Sequence, residues 1–121
     1  MEHLVRMGLL LDFYGGLLTT KQQRVFSLYY MDNLSLAEIA DQEGTTRQAV
    51  HDLLQRTERI LEGWEEQLLL LDRFLRGQEL YKTLCKSFSN LTEVMSDSIR
   101  GTHQYIEFKQ ALRALENFLN F

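Results

Sequence analysis

The chain has 121 residues, 45% of them hydrophobic and 25% charged, and a formal net charge of −4. That length fits one compact domain, or one small domain with a helical appendage, and the composition excludes a chain disordered throughout. The balance of 13 basic against 17 acidic side chains excludes attachment to nucleic acid by bulk charge alone, because such affinity comes mainly from Lys and Arg neutralising phosphates.

Proline is absent and strand-like alternation is scarce, whereas apolar residues recur at steps of three and four, so the chain reads as all-α. Three helix starts carry Ser or Thr followed three residues later by Glu or Gln, the pattern of a capping box: Thr20–Gln23, Ser35–Glu38 and Thr45–Gln48. They predict a first helix over residues 3–17, frayed at Gly15–Gly16, and a second over 20–31 that buries Val25, Leu28 and Tyr29. A short third helix covers 35–42, and a fourth begins near residue 46.

The fourth helix reads as long. Val50, Leu54, Thr57, Leu61, Trp64, Leu68, Leu71 and Leu75 follow an unbroken 4-3-4-3 spacing with one polar member, a heptad stripe. Gly63 is a candidate break and Gly77 the expected stop. Unbroken, residues 46–76 make a rod of about 46 Å. Beyond it, Leu80, Leu84 and Phe88 form one face, with Tyr81 and Cys85 beside it, and Tyr105, Phe108, Leu112, Leu115 and Leu119 form another stripe. The expected division is a helix-turn-helix domain over residues 1–62 and a helical extension over 63–121. Two readings of the extension stay open, an intramolecular bundle and a homodimer interface; the dimer is favoured, with Trp64, Leu68, Leu71 and Leu75 across it.

The stretch "LSLAEIADQEGTTRQAVHDLLQ" meets the packing demands of a helix-turn-helix. A small residue must sit where the two helices cross, a residue tolerant of positive φ must follow four positions on, and apolar residues must line the inner face of the second helix. Ala40, Gly44, Val50 and Leu53 fill those roles, with Ile39 beside Ala40; a generic helical hairpin is the alternative. The outward face then holds Thr46, Arg47, Gln48, His51, Asp52 and Gln55, where a major groove of duplex DNA would lie. Arg47 suits guanine, and Gln48 or Gln55 suits adenine. Lys21, Arg24, Arg56 and Arg59 are candidates for phosphate contacts. The competing reading is a solvated polar face, and Asp52 argues for it.

Other classes find little support. The run "LVRMGLLLDFYGGLL" contains Arg6 and Asp12 and does not read as a signal peptide, and no segment has the ~18 consecutive apolar residues of a membrane span. The single cysteine, Cys85, allows no internal disulfide, reads as a small core residue and fits a reducing cytoplasm. His3, His51, His103 and Cys85 lack metal-ligand spacing, so neither metal nor cofactor is expected. With no phosphate loop and no nucleophile beside a partner, the chain does not read as an enzyme. An interaction module docking through aromatics such as Tyr14, Tyr30 or Trp64 is the second hypothesis beside a DNA-binding regulator.

The segments "DFYGGLLTTKQ", "LYYMDNLSLAEIA", "TRQAVHD" and "RTE" resemble the bacterial YlxM-like family of helix-turn-helix proteins, which is similar to region 4 of sigma factors. The resemblance covers residues 4 to about 68. It implies sigma-type helices, a recognition helix falling on Thr46, Arg47, Gln48, His51 and Gln55, and a link to the signal recognition particle pathway through gene neighbourhood in the family. Beyond Leu68 no family motif is found, so the C-terminal helices rest on periodicity.

Overall fold

A computed structural model describes residues 1–120. In chain order it contains α1 (His3–Tyr14), a 3-10 turn over Gly15–Leu17, α2 (Thr20–Tyr30), α3 (Leu36–Glu43), α4 (Arg47–Leu68), α5 (Leu70–Glu93), α6 (Asp97–Arg100) and α7 (His103–Leu119). The described residues contain no strand, which bears out the all-α reading, and none of these helices is long and apolar enough to cross a membrane.

Side-chain hydroxyls open four of the helices. Thr19, Ser35, Thr46 and Thr102 each accept from the amide three residues on, satisfying a donor that has no partner within its helix. The Ser35–Glu38 capping box forms as expected. The other two expected boxes are corrected by one residue. Thr19 pairs reciprocally with Gln22, in place of Thr20 with Gln23. Thr46 caps α4 in place of Thr45, without a reciprocal partner because Ala49 occupies the third position. The first helix also ends at Tyr14, with Gly15–Leu17 tightened into the 3-10 turn.

Two compact units divide the chain, one spanning Met1–Leu71 and the other beginning at Asp72. The break falls beyond the expected 62/63 boundary because α4 runs through it without interruption. In the first unit α1, α2 and α3 all pack on α4 or on each other. Met7, Leu10 and Tyr14 of α1, Val25 and Phe26 of α2, Ile39 and Ala40 of α3, and Val50, Leu54 and Leu61 of α4 are buried together with Leu18 and Leu71. Each large apolar side chain so removed from water contributes about 1.5–3 kcal/mol. The buried arc of α2 is centred on Val25 and Phe26, which leaves Leu28 and Tyr29 only half-buried. Thr57 sits wholly buried inside the apolar stripe, and its hydroxyl donates to the Leu53 carbonyl at 2.8 Å, so burying it strands no polar group.

The expected rod does not form. Helix α4 stops at Leu68, and Leu69 adopts a left-handed conformation (φ 57°, ψ 29°), while Gly63 and Gly77 both remain inside helices. Glu65 and Tyr14 stabilise this unusual stop. The Tyr14 hydroxyl donates to Glu65 Oε1 at 2.6 Å and accepts from the Leu70 amide at 3.2 Å; Glu65 Oε1 also accepts from the Leu71 amide at 3.0 Å. A buried carboxylate thus caps the Leu71 amide in the first turn of α5, where negative charge is favoured by the helix dipole. Tyr14 is almost wholly buried in this role, which removes it from the expected set of surface anchors.

The second unit is two helices of unequal length joined through the short α6, and no side chain from Asp72 to Asn120 is fully buried. Its inward line on α5 is Tyr81, Cys85 and Phe88; Leu80 and Leu84, expected on the covered face, are exposed. The Tyr81 hydroxyl donates to the Leu112 carbonyl at 3.3 Å, and the Phe88 ring lies 5.8 Å from Tyr105 and 4.7 Å from Phe108.

Candidate nucleic-acid interface

The turn between α3 and α4 has the geometry its spacing demands. Gly44 caps α3 at φ 66°, ψ 38°, and its amide, like that of Thr45, donates to the Ala40 carbonyl. Ala40 is 4% exposed at the crossing, with Ile39 and Val50 closed around it, so its methyl lets the two helices approach. Leu53 is half-buried and Leu54 takes the deeper place. This arrangement is a helix-turn-helix, with α4 in the position of the recognition helix.

Along the outer side of α4, Arg47, Gln48, His51, Asp52, Gln55, Arg56 and Arg59 are all exposed. Helical spacing brings the expected base-facing residues onto one surface. Thr46 stands apart from them: its hydroxyl oxygen is held by the Ala49 amide at 3.1 Å, so its first task is to start the helix. Asp52 lies within that surface and is not left bare. The Gln48 side-chain amide donates to its Oδ1 at 2.9 Å, and His51 Nδ1 lies 3.6 Å from the same oxygen. Gln48 must release this bond to read a base with both ends of its amide.

The four phosphate candidates separate into two kinds. Arg56 and Arg59 make no ion pair among the described residues; Arg59 Nε reaches only the Gln55 carbonyl, at 3.5 Å. Lys21, in the first turn of α2, lines a small cavity with Glu43, Thr45, Ala49 and Leu53 next to the start of α4, and makes no ion pair among the described residues although its charge helps to lower the Glu43 carboxyl. Arg24, by contrast, grips both oxygens of Glu43 at 3.2 and 2.6 Å. The Arg24 hydrogen bonds hold the Glu43 carboxyl below the usual carboxylate range, and Glu43 in turn raises Arg24. Arg24 therefore pins α2 to the end of α3, and its charge is already matched.

Two further polar clusters, both linking α1 to α4, escaped the sequence reading. Arg6 forks onto Glu62 with both contacts at 2.7 Å. Glu58 gathers His3, at 3.2 Å, and the Tyr30 hydroxyl, which leaves Tyr30 half-buried. Nothing in a one-dimensional pattern marks pairs separated by 28 to 56 residues.

Of the expected interface residues, Leu71 is fully buried within the chain and is unavailable to a partner. Trp64 is half-buried with its ring 6.3 Å from Tyr14, Leu75 is half-buried, and Leu68 is exposed. The stripe fails as a continuous seam because the left-handed residue at Leu69 resets the helix between Leu68 and Leu71.

Comparison with known proteins agrees with this geometry. Residues 1–99 match the family described as "Putative helix-turn-helix protein, YlxM / p13 like". The chain is 42% identical over 116 residues to the UPF0122 protein of Bacillus cereus strain AH187, with 96% of each chain covered. UPF0122 proteins of Bacillus anthracis strain A0248 and Bacillus thuringiensis subsp. konkukian strain 97-27 match over the same length at the same identity.

Proposed function

The chain belongs to the YlxM / p13-like helix-turn-helix family, and from that premise we propose that it is a non-enzymatic, cytoplasmic DNA-binding regulator, acting as a homodimer that presents two copies of α4. The reading rests on one arrangement, in which Ala40 and the left-handed Gly44 let α3 and α4 cross closely and leave Arg47, Gln48, His51 and Gln55 projecting outward. Arg47 and the glutamines read base edges, while Arg56, Arg59 and Lys21 hold phosphates. Arg24 positions the motif instead of contacting the duplex.

Duplex titration at two salt concentrations tests this. Each phosphate-contacting cation contributes about 0.9 to the slope of log affinity against log salt. Arg56→Ala removes one such cation from each copy and therefore flattens the slope by about 1.8 units across all sequences, and Arg47→Ala loses about 1–3 kcal/mol of discrimination at one position of each half-site. Arg24→Ala leaves the slope unchanged and lowers thermal stability. Unchanged affinity, slope and preference in both Arg47→Ala and Arg56→Ala would defeat the proposal.

A second reading, docking on an RNA or protein component of the signal recognition particle pathway, draws support from the second unit. Arg100, Lys109 and Arg113 line one groove with Tyr105, Ile106 and Gln110; Arg100 is already paired with Asp97 at 3.1 Å, which leaves Lys109 and Arg113 as the cations the groove offers. Arg113 makes no ion pair among the described residues, and Lys109 lies over the Tyr105 ring at 5.6 Å. Titration with the particle RNA beside duplex DNA separates the readings: RNA binding lost in Arg113→Ala but kept in Arg47→Ala favours the second.

A further inference from the structure

Among the exposed residues that α4 turns outward between Arg47 and Arg59, Asp52 is the one acid, with 53% of its side chain open to solvent. An acid on a solvated helix gains most from a base four residues along, and Arg56 stands at that spacing. Among the described residues no ion pair joins the two. The Asp52 carboxylate lies instead toward the start of α4, the direction in which helical side chains lean. Its Oδ1 accepts from Gln48 Nε2 at 2.9 Å, and His51 Nδ1 lies 3.6 Å from the same oxygen, beyond hydrogen-bond distance. Gln48 brings no charge to the bond. The second oxygen, Oδ2, makes no hydrogen bond among the described residues, so a charged acceptor stays open on the face that would meet a groove.

Duplex DNA gives such a carboxylate few places to go. Phosphates repel it, and in the major groove guanine and thymine turn acceptor atoms toward it. The donors there are the N4 amine of cytosine and the N6 amine of adenine. Adenine sets its N7 acceptor beside that amine, where it repels a carboxylate, whereas cytosine offers its amine without an acceptor on the same edge. Asp52 stands in the second turn of α4, within the N-terminal stretch through which a recognition helix meets base edges. Cytosine is therefore the base that this side chain suits.

We propose that Asp52 is a specificity-determining residue, its Oδ2 accepting from the N4 amine of one cytosine in each half-site. Gln48 is its positioning residue: it gives one N–H to Oδ1 and keeps its own Oε1 for a neighbouring base. The inference rests on the DNA-binding reading of α4 and deepens it by naming a base. It also gives a task to the feature that argues most against that reading. A carboxylate on the groove-facing surface weakens attachment to every duplex that lacks the cytosine, so it lowers general affinity and raises discrimination. That suits a chain of net charge −4, whose hold on DNA cannot come from bulk charge.

Selection from a randomised duplex library, followed by competition titration of the full chain, is the test. Wild type is expected to enrich one cytosine in each half-site, and changing that C·G pair to T·A in one half-site costs it about tenfold in affinity. Asp52→Ala and the isosteric Asp52→Asn alter an exposed side chain, so both are expected to melt with the wild type. Asp52→Ala tolerates any base at that position, shows no tenfold penalty and binds random duplex more tightly. Asp52→Asn turns the preference to adenine, which a carboxamide meets with both its ends. Gln48→Ala shrinks the penalty; an undiminished one overturns the role given to Gln48. A cytosine preference that survives Asp52→Ala, or a wild-type site without an enriched cytosine, overturns the inference and leaves the DNA-binding reading standing. A wild type that binds no duplex defeats that reading itself, and the inference falls with it.

Discussion

The Tyr14 hydroxyl donates to a Glu65 carboxylate oxygen at 2.6 Å, 51 residues away, and this one bond joins the end of α1 to the stop of α4. The same hydroxyl accepts from the Leu70 amide, and the same carboxylate oxygen accepts from Leu71. Burial, reinforced by the hydrogen bond to Glu65, raises the Tyr14 hydroxyl above the usual tyrosine value, so it stays a donor. Tyr14→Phe deletes that donor, leaving the buried Glu65 carboxylate with one hydrogen bond fewer and the part-buried Leu70 amide without this acceptor. The expected cost is about 1–3 kcal/mol. It is read as a lower urea midpoint with an unchanged slope, at one fixed protein concentration. A wild-type midpoint in Tyr14→Phe would mean that the left-handed stop at Leu69 needs no such support.

Gly44 makes a different kind of demand. A Cβ built at this position meets nothing within 4 Å, so space is not the constraint. The positive φ is, and a left-handed conformation costs a β-carbon-bearing residue roughly 1–2 kcal/mol. Gly44→Ala is expected to lose about that much in urea unfolding, and Gly44→Asn less, because asparagine tolerates this region better. If Gly44→Ala unfolds at or above the wild-type midpoint, the turn does not hold its left-handed conformation in solution.

These two positions show where sequence reasoning works and where it fails. Gly44 was legible because the crossing fixes small, left-handed and apolar positions at set intervals from Ala40, and only one glycine meets them. The pattern places the caps one residue late at Thr20 and one early at Thr45, since each true cap has a twin beside it: Thr19 and Thr20 both meet a glutamine three residues on, and of Thr45 and Thr46 only Thr45 does. Leu69 was illegible. Local propensity favours continuing a helix through a leucine, and the groups that stop it there include Tyr14, more than 50 residues away in sequence. The covered stripe of α5 was missed for another reason: two adjacent stripes are both apolar, and one chain alone does not reveal which faces its own α7. The phosphate candidates Arg24 and Arg56 look alike in sequence, and only the fold brings Glu43 against one of them.

Acid should probe the Arg6–Glu62 fork, which ties α1 to α4 through two contacts of 2.7 Å. The hydrogen bonds from Arg6 outweigh partial desolvation and hold the Glu62 carboxyl below its ordinary 4.5. With the folded value depressed, the unfolded chain takes up the proton first as pH falls. The pair's contribution is therefore complete above the unfolded value and is lost as pH drops through the folded one. The side chains are 34% and 41% exposed, so solvent screening limits the contribution to about 1 kcal/mol or less. Glu62→Gln should accordingly lower the urea midpoint slightly at pH 7, and the gap to wild type should close as the pH falls through the depressed folded value, below which both carry a neutral side chain. Comparing the two proteins at each pH cancels the titration of every other carboxylate, including Glu43. A gap that widens on acidification would reverse the sign of the argument and show that Glu62 is favoured in its protonated form.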